Sequence, residues 1–181
     1  MSQQQIAENL ELAFAQKGFA EPSVAELKTL SGVSMRTLYK YFPSKESMVV
    51  GALNHRHQRY IALLEECAQQ SGLDATLSAF DVLGGWMKEH APKGCLSVNA
   101  LAAFPDNVEI NSTVEQHKQQ VIDSLAKLSG HEGLSDALFV LHEGTTTAYP
   151  ILGESAITAA KVAITTLFST HSTSNKKGIQ Q

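Results

Sequence analysis

Residues 23–46 read Ser-Val-Ala-Glu-Leu-Lys-Thr-Leu-Ser-Gly-Val-Ser-Met-Arg-Thr-Leu-Tyr-Lys-Tyr-Phe-Pro-Ser-Lys-Glu, a pattern of two short helices broken at Ser31-Gly32-Val33. Ser23 is positioned to cap the first helix while Glu26, three residues on, reaches back to the cap amide, which makes a capping box. Val24, Leu27 and Leu30 recur at helical spacing and are expected to point inward. Gly32 falls where a chain leaving a helix commonly takes positive φ, and Ser34 follows as the cap of the second helix. There Leu38 and Phe42 lie four apart and share an inward face, which leaves Met35, Arg36, Tyr39 and Lys40 on or near the outer surface. Pro43 ends that helix because it lacks the N–H the ladder needs, and Ser44 opens another whose first-turn amides and Lys45 are available to an anion. Two helices crossing steeply over a tight turn, the second aromatic and basic outside, have the layout of a DNA-reading helix-turn-helix.

The run Gly-Val-Ser-Met-Arg-Thr-Leu-Tyr-Lys-Tyr-Phe-Pro-Ser-Lys-Glu at residues 32–46 resembles the signature of the TetR family of one-component transcriptional regulators, and the likeness extends from Ile6 to Leu53. It departs at two positions that bear on which bases are read: Arg36 replaces a glycine often found there, and Lys28 stands where a small residue is usual. The resemblance implies that Met35, Arg36 and Lys40 face base edges while Ser34, Thr37, Tyr39, Tyr41 and Lys45 hold phosphates. Chemistry agrees with that division, because arginine bridges guanine bidentately whereas a tyrosine hydroxyl suits a single phosphate oxygen. The resemblance also implies a homodimer joined by an antiparallel helix pair from each subunit. Ala137 and Leu141 in one late helix, with Ala156, Ala160, Ala163, Ile164 and Leu167 in the next, offer small-residue faces for it; packing within one chain is the alternative use of such faces. A dimer would set two recognition helices to major grooves about 34–36 Å apart.

The chain has 181 residues, 43% of them hydrophobic, and a formal charge of −4. That charge is unevenly divided: residues 1–60 carry seven Lys/Arg against five Asp/Glu (+2), and residues 61–181 seven against thirteen (−6). The basic part is the part with the motif, so the acidic total does not argue against nucleic acid. Two cysteines, no CxxC pair and an N-terminus without a basic region or apolar run point to the cytoplasm. No apolar stretch approaches the ~20 residues that cross a bilayer.

Ile6, Leu10, Ala13 and Phe14 form a first amphipathic helix ended by Gly18, the packing partner for Leu27, Leu38 and Phe42. A long helix runs from Ser44 to about Gln70, followed by runs at 73–90, 95–104, 107–128, 134–147 (before Pro150) and 154–170. None alternates with period two, so the fold class is all-α with nine helices. The domains expected are residues 1–50 for DNA binding, 51–171 for dimerisation and effector binding, and 172–181 as a flexible tail.

In the second domain Trp86, His142 and Tyr149 combine apolar area with a polar tip and are the candidates for effector contact; plain core is the competing use of each. Cys95 follows Pro92-Lys93-Gly94 and is either a thiol activated by a helix N-terminus or, the preferred view, an inert buried one. His55 and His57 are two apart and do not share the helix face that a metal pair needs, so no metal site is expected. Ser124-Leu-Ala-Lys127 lacks the companion motifs of acyl-enzymes, and there is no phosphate-binding glycine loop, so neither an enzyme nor a cofactor is expected. The function expected is a homodimeric repressor released from an inverted-repeat operator in double-stranded DNA by a small-molecule effector. An activator or effector-independent regulator is the alternative within DNA binding, and a helical enzyme or ligand carrier retaining the module is the alternative outside it.

Overall fold

The computed structural model describes residues 1–177, with side chains described through His171. Among these residues there are nine α-helices and no strand: α1 (Gln3–Lys17), α2 (Val24–Ser31), α3 (Met35–Tyr41), α4 (Lys45–Cys67), α5 (Leu73–His90), α6 (Leu96–Ala103), α7 (Val108–Ser129), α8 (Ser135–Leu152) and α9 (Glu154–Lys177). A 3₁₀ turn at Glu132–Leu134 leads into α8. The all-α architecture is the one the sequence periodicity implies.

By its contacts the chain forms two compact units, Met1–Tyr60 with Cys95–Gln119, and Ile61–Gly94 with the chain from Gln120 onward. A boundary at residue 50 does not follow these contacts. The first unit takes in α4 as far as Tyr60, all of α6 and the first half of α7, because Leu96, Ala100, Ile110 and Val114 complete a core that α1 to α3 are too small to close alone. That core is otherwise built from Ile6, Leu10 and Phe14 of α1, Leu27 of α2, Leu38 and Phe42 around α3, and Met48, Val49, Ala52 and Leu53 of α4. Leu30 is not part of it. The inward line of α2 runs through Leu27 and Ser31, one full turn apart, so Leu30 is rotated outward and is 40% exposed. Gly51 has a role that its place in a helix does not suggest: a Cβ there would lie 2.3 Å from the Phe42 ring, which is laid across the α4 backbone at that point.

In the second unit α9 packs along both α5 and α8. Phe80, Leu83 and Met87 of α5, Leu138 of α8, and Ile157, Ala160 and Ile164 of α9 are buried there. Pro150 does not end α8 as its sequence position suggests. The helix continues to Leu152, and the Gly153 amide closes it by donating to the Tyr149 carbonyl at 2.8 Å. Only one ladder bond near the last turn is lost, which is less costly than ending the helix. Helix α9 likewise runs through Lys177, into the stretch expected to be a tail, whose last residues, 178–181, lie outside those described.

Candidate nucleic-acid interface

The geometry of the first unit follows from its caps. Glu26 N–H donates to Ser23 Oγ at 3.3 Å and the Glu26 carboxylate accepts from Ser23 N–H at 2.9 Å, completing the capping box. Those Ser23 bonds, with Lys17, hold the Glu26 carboxyl below the usual carboxylate range. Gly32 adopts φ 71° and ψ 21°, the left-handed setting that turns the chain sharply out of α2. Ser34 then caps α3 by accepting from Thr37 N–H at 3.1 Å, and the two hydroxyls pair at 2.9 Å.

With Leu38 fully buried and Phe42 4% exposed, α3 is fixed by one side. Met35, Arg36, Tyr39 and Lys40 are exposed on the other. Tyr41 is different: it is half-buried against the core, and Lys40 Nζ lies 5.2 Å from its ring centroid, a cation over an aromatic face. Thr37 is half-buried beside its cap, so its hydroxyl and that of Ser34 are already engaged.

After Pro43 the start of α4 is closed reciprocally, Ser44 N–H donating to Ser47 Oγ at 2.9 Å and Ser47 N–H to Ser44 Oγ at 3.1 Å. Lys45 Nζ turns back to the Ala20 carbonyl at 3.4 Å, a long bond that a phosphate oxygen can replace. The eight residues Ser34, Met35, Arg36, Thr37, Tyr39, Lys40, Tyr41 and Lys45 are thus brought into one short stretch from the α3 cap to the α4 start. Four of them present open side-chain surface, and the other four are partly committed to caps, core or backbone.

Behind this surface stands a group of residues that sequence patterning missed. Glu11 on α1 is 2% exposed and its carboxylate meets His55, Arg56 and Arg59 of α4. His57, one position from that group, stacks on His117 of α7 with ring centroids 4.0 Å apart. Cys95, just before α6, is half-buried, and its Sγ accepts a hydrogen bond from Lys118 Nζ at 3.5 Å. Among the described residues no group of three or more His, Cys, Asp or Glu side chains is placed to hold a metal ion. No described helix is long and apolar enough to cross a membrane.

The candidate effector residues lie in the second unit, each buried and each against a different neighbour. Trp86 is 7% exposed with its ring edge-on to His90. His142, 5% exposed, pairs through Nδ1 with Glu143 Oε1 at 3.0 Å. The Tyr149 hydroxyl donates to Glu154 Oε1 at 3.2 Å, and burial, then that bond and its charge, push the phenol's pKa up. The surface groove along α5 and α9, lined by residues including Leu77, Asp81, Ile157 and Lys161, contains none of the three.

The family model described as "Bacterial regulatory proteins, tetR family" matches residues 11–52. No curated protein matches the chain by sequence. Among solved structures, SCO4454, a TetR-family transcriptional regulator from Streptomyces coelicolor, superposes with a TM-score of 0.81 at 16% identity, covering 91% of this chain and 93% of that one. NemR of E. coli in its reduced form gives 0.77 at 22% identity over 90% and 95% of the two chains. The regulator FadR from Bacillus subtilis, in complex with stearoyl-CoA, gives 0.71 at 15% identity over 91% and 97%. At these identities the structural likeness speaks for the fold, and the family match falls on the segment that carries the helix-turn-helix. Residues 11–52 thus match the helix-turn-helix segment of the bacterial tetR regulatory proteins, and the described chain has the fold of solved TetR-family regulators.

Proposed function

We propose that the protein is a homodimeric repressor, acting in the cytoplasm, that binds an inverted-repeat operator through α3 and leaves it when a small molecule occupies the second unit. The observation that carries this is the orientation of α3. Its two anchors, Leu38 and Phe42, are buried while Met35, Arg36, Tyr39 and Lys40 stand exposed. In this proposal Arg36, Met35 and Lys40 meet base edges, and Ser34, Thr37, Tyr39, Tyr41 and Lys45 meet phosphates.

A dimer is supported by the outer side of the last two helices, where Val140 is 68%, Ile151 85% and Val162 64% exposed. The face differs from the one inferred from composition. Ala156, Ala160 and Ile164 are buried in the chain's own core and are unavailable to a second subunit, whereas Ala137, Leu141, Ala163 and Leu167 are half-buried and border the exposed strip. An effector with an apolar body is the kind the second unit suits, with Trp86, His142 and Tyr149 as contacts once helices part to admit it. FadR of Bacillus subtilis, bound to stearoyl-CoA, is a structural neighbour that binds such a molecule. Release is then a population shift: the effector favours the DNA-incompetent state by its differential affinity, and α4, which belongs to both units, is the continuous element that links them.

The test is selection of duplexes from a random pool by the purified protein. An inverted repeat with half-site centres about one helical turn or a multiple apart is expected. Enrichment of a single half-site would contradict the dimer, and no enrichment at all would contradict sequence-specific binding.

A further inference from the structure

We infer that Glu11 is a positioning residue for DNA recognition, whose buried carboxylate fixes the rotational setting of α1 on α4 and thereby the spacing between half-sites that a dimer accepts. The inference rests on the dimeric operator binding proposed above.

Glu11 occupies a core position of α1: Ala7, one turn before it, and Phe14, three residues after, are both buried. A leucine would extend that apolar stripe without any charge to compensate. Instead the two carboxylate oxygens take four hydrogen bonds from three residues of α4. His55 Nδ1 reaches Oε2 at 2.8 Å, Arg56 Nη1 reaches Oε1 at 2.9 Å, and Arg59 Nη1 reaches both oxygens at 3.1 Å. Burying such a group is costly, and a buried ion cluster commonly gives no more stability than an apolar replacement of the same volume. What it supplies here is direction. Apolar contacts tolerate small rotations and slides, and among the described residues the core cluster that joins α1 to α4 takes in α4 as far as Leu53. The carboxylate extends the grip to Arg59, one residue short of the end of the first unit within α4, through bonds that weaken steeply when misaligned. Because α2 packs on α1, and α3 on α2, a fixed setting of α1 fixes the recognition helix with respect to α4.

The consequence concerns spacing and not base identity. Adding one base pair moves the half-sites apart by about 3.4 Å, which a rigidly set pair of modules resists and a loosened pair follows. The experiment measures the affinity of full-length wild type, Glu11→Gln and Arg59→Gln for the selected operator and for versions with one base pair inserted or removed between half-sites, with thermal melts on each protein. Wild type is expected to lose about tenfold on each altered spacer. In the variants that penalty should shrink about threefold or more, the size of coupling seen when a buried bonded network loses one member. Preference for the bases within each half-site should stay as in wild type. A residue that only stabilises the fold would lower affinity for all spacers in parallel and leave the penalty unchanged, so an unchanged penalty overturns the inference. If Glu11→Gln does not fold, Arg59→Gln decides alone, since the Arg59 side chain is 36% exposed and its loss is tolerable. A wild type indifferent to spacing would contradict dimeric operator binding itself and remove the basis of the inference with it.

Discussion

The His117 ring is 8% exposed, bonds through Nε2 to Asn54 Oδ1 at 2.8 Å, and leaves Nδ1 buried without a hydrogen-bond partner. Protonation would put charge on that dry nitrogen. Burial first, then the neighbouring His57 and Lys118, bring its pKa down from 6.5 to about 4. Between those values the unfolded chain binds a proton that the folded one does not, so the stability is fully present above pH 6.5 and falls as pH drops toward 4. The full effect is up to about 3 kcal/mol. Urea melts across this window should give a shallower pH dependence for His117→Gln than for wild type; parallel curves would show that the ring titrates normally. Neither His117 nor Glu11 was legible as a site residue in the sequence. A carboxylate among the polar residues of α1 looks solvated, and the only local signal, its place one turn after Ala7 and three residues before Phe14, says that it is buried but not what it meets. Its partners are 44 to 48 residues away. The exposed side of α3 was legible for the opposite reason. Leu38 and Phe42, four residues apart, fix the inward side of α3 locally, and the outward residues follow from 3.6-residue geometry.

Helices α8 and α9 mark where helical periodicity stops being informative. Alanine and threonine recur on several sides of α9, so spacing alone did not separate its inner line, Ala156, Ala160 and Ile164, from its outer one around Val162. Only packing against α5 and α8 makes the distinction. It also separates two substitutions that composition treats alike. Val162→Glu places a charge on an exposed position and should yield folded monomers with a melting temperature close to that of wild type. Ala160→Glu forces a carboxylate into the core, which costs several kcal/mol, and should unfold the chain. Sedimentation combined with thermal melts reads both effects. A Val162→Glu variant that remains dimeric would exclude this strip of α9 from the interface. Pro150 teaches the same lesson at the end of an element: a proline predicts a break, but near a helix end the surrounding contacts outweigh one missing bond.

At the scale of the whole molecule, the proposed DNA binding rests on an uneven division of charge. Residues 1–60 carry +2 and the remainder −6, so the phosphate backbone is attracted to the part of the chain that bears the helix-turn-helix and repelled by the rest. Charge alone gives binding to any duplex. Sequence preference must come from side chains at base edges, and Arg36, exposed on α3 and able to bridge guanine, is the residue assigned that role. The direct measurement is the affinity of wild type and Arg36→Ala for the selected operator and for a scrambled duplex of equal length, at one fixed salt concentration. Arg36→Ala should lose about 1–3 kcal/mol per half-site on the operator and relax preference at one base position, with the scrambled duplex much less affected. Operator and scrambled affinities falling in parallel would contradict base reading by α3 at this residue and return Arg36 to the phosphate contacts.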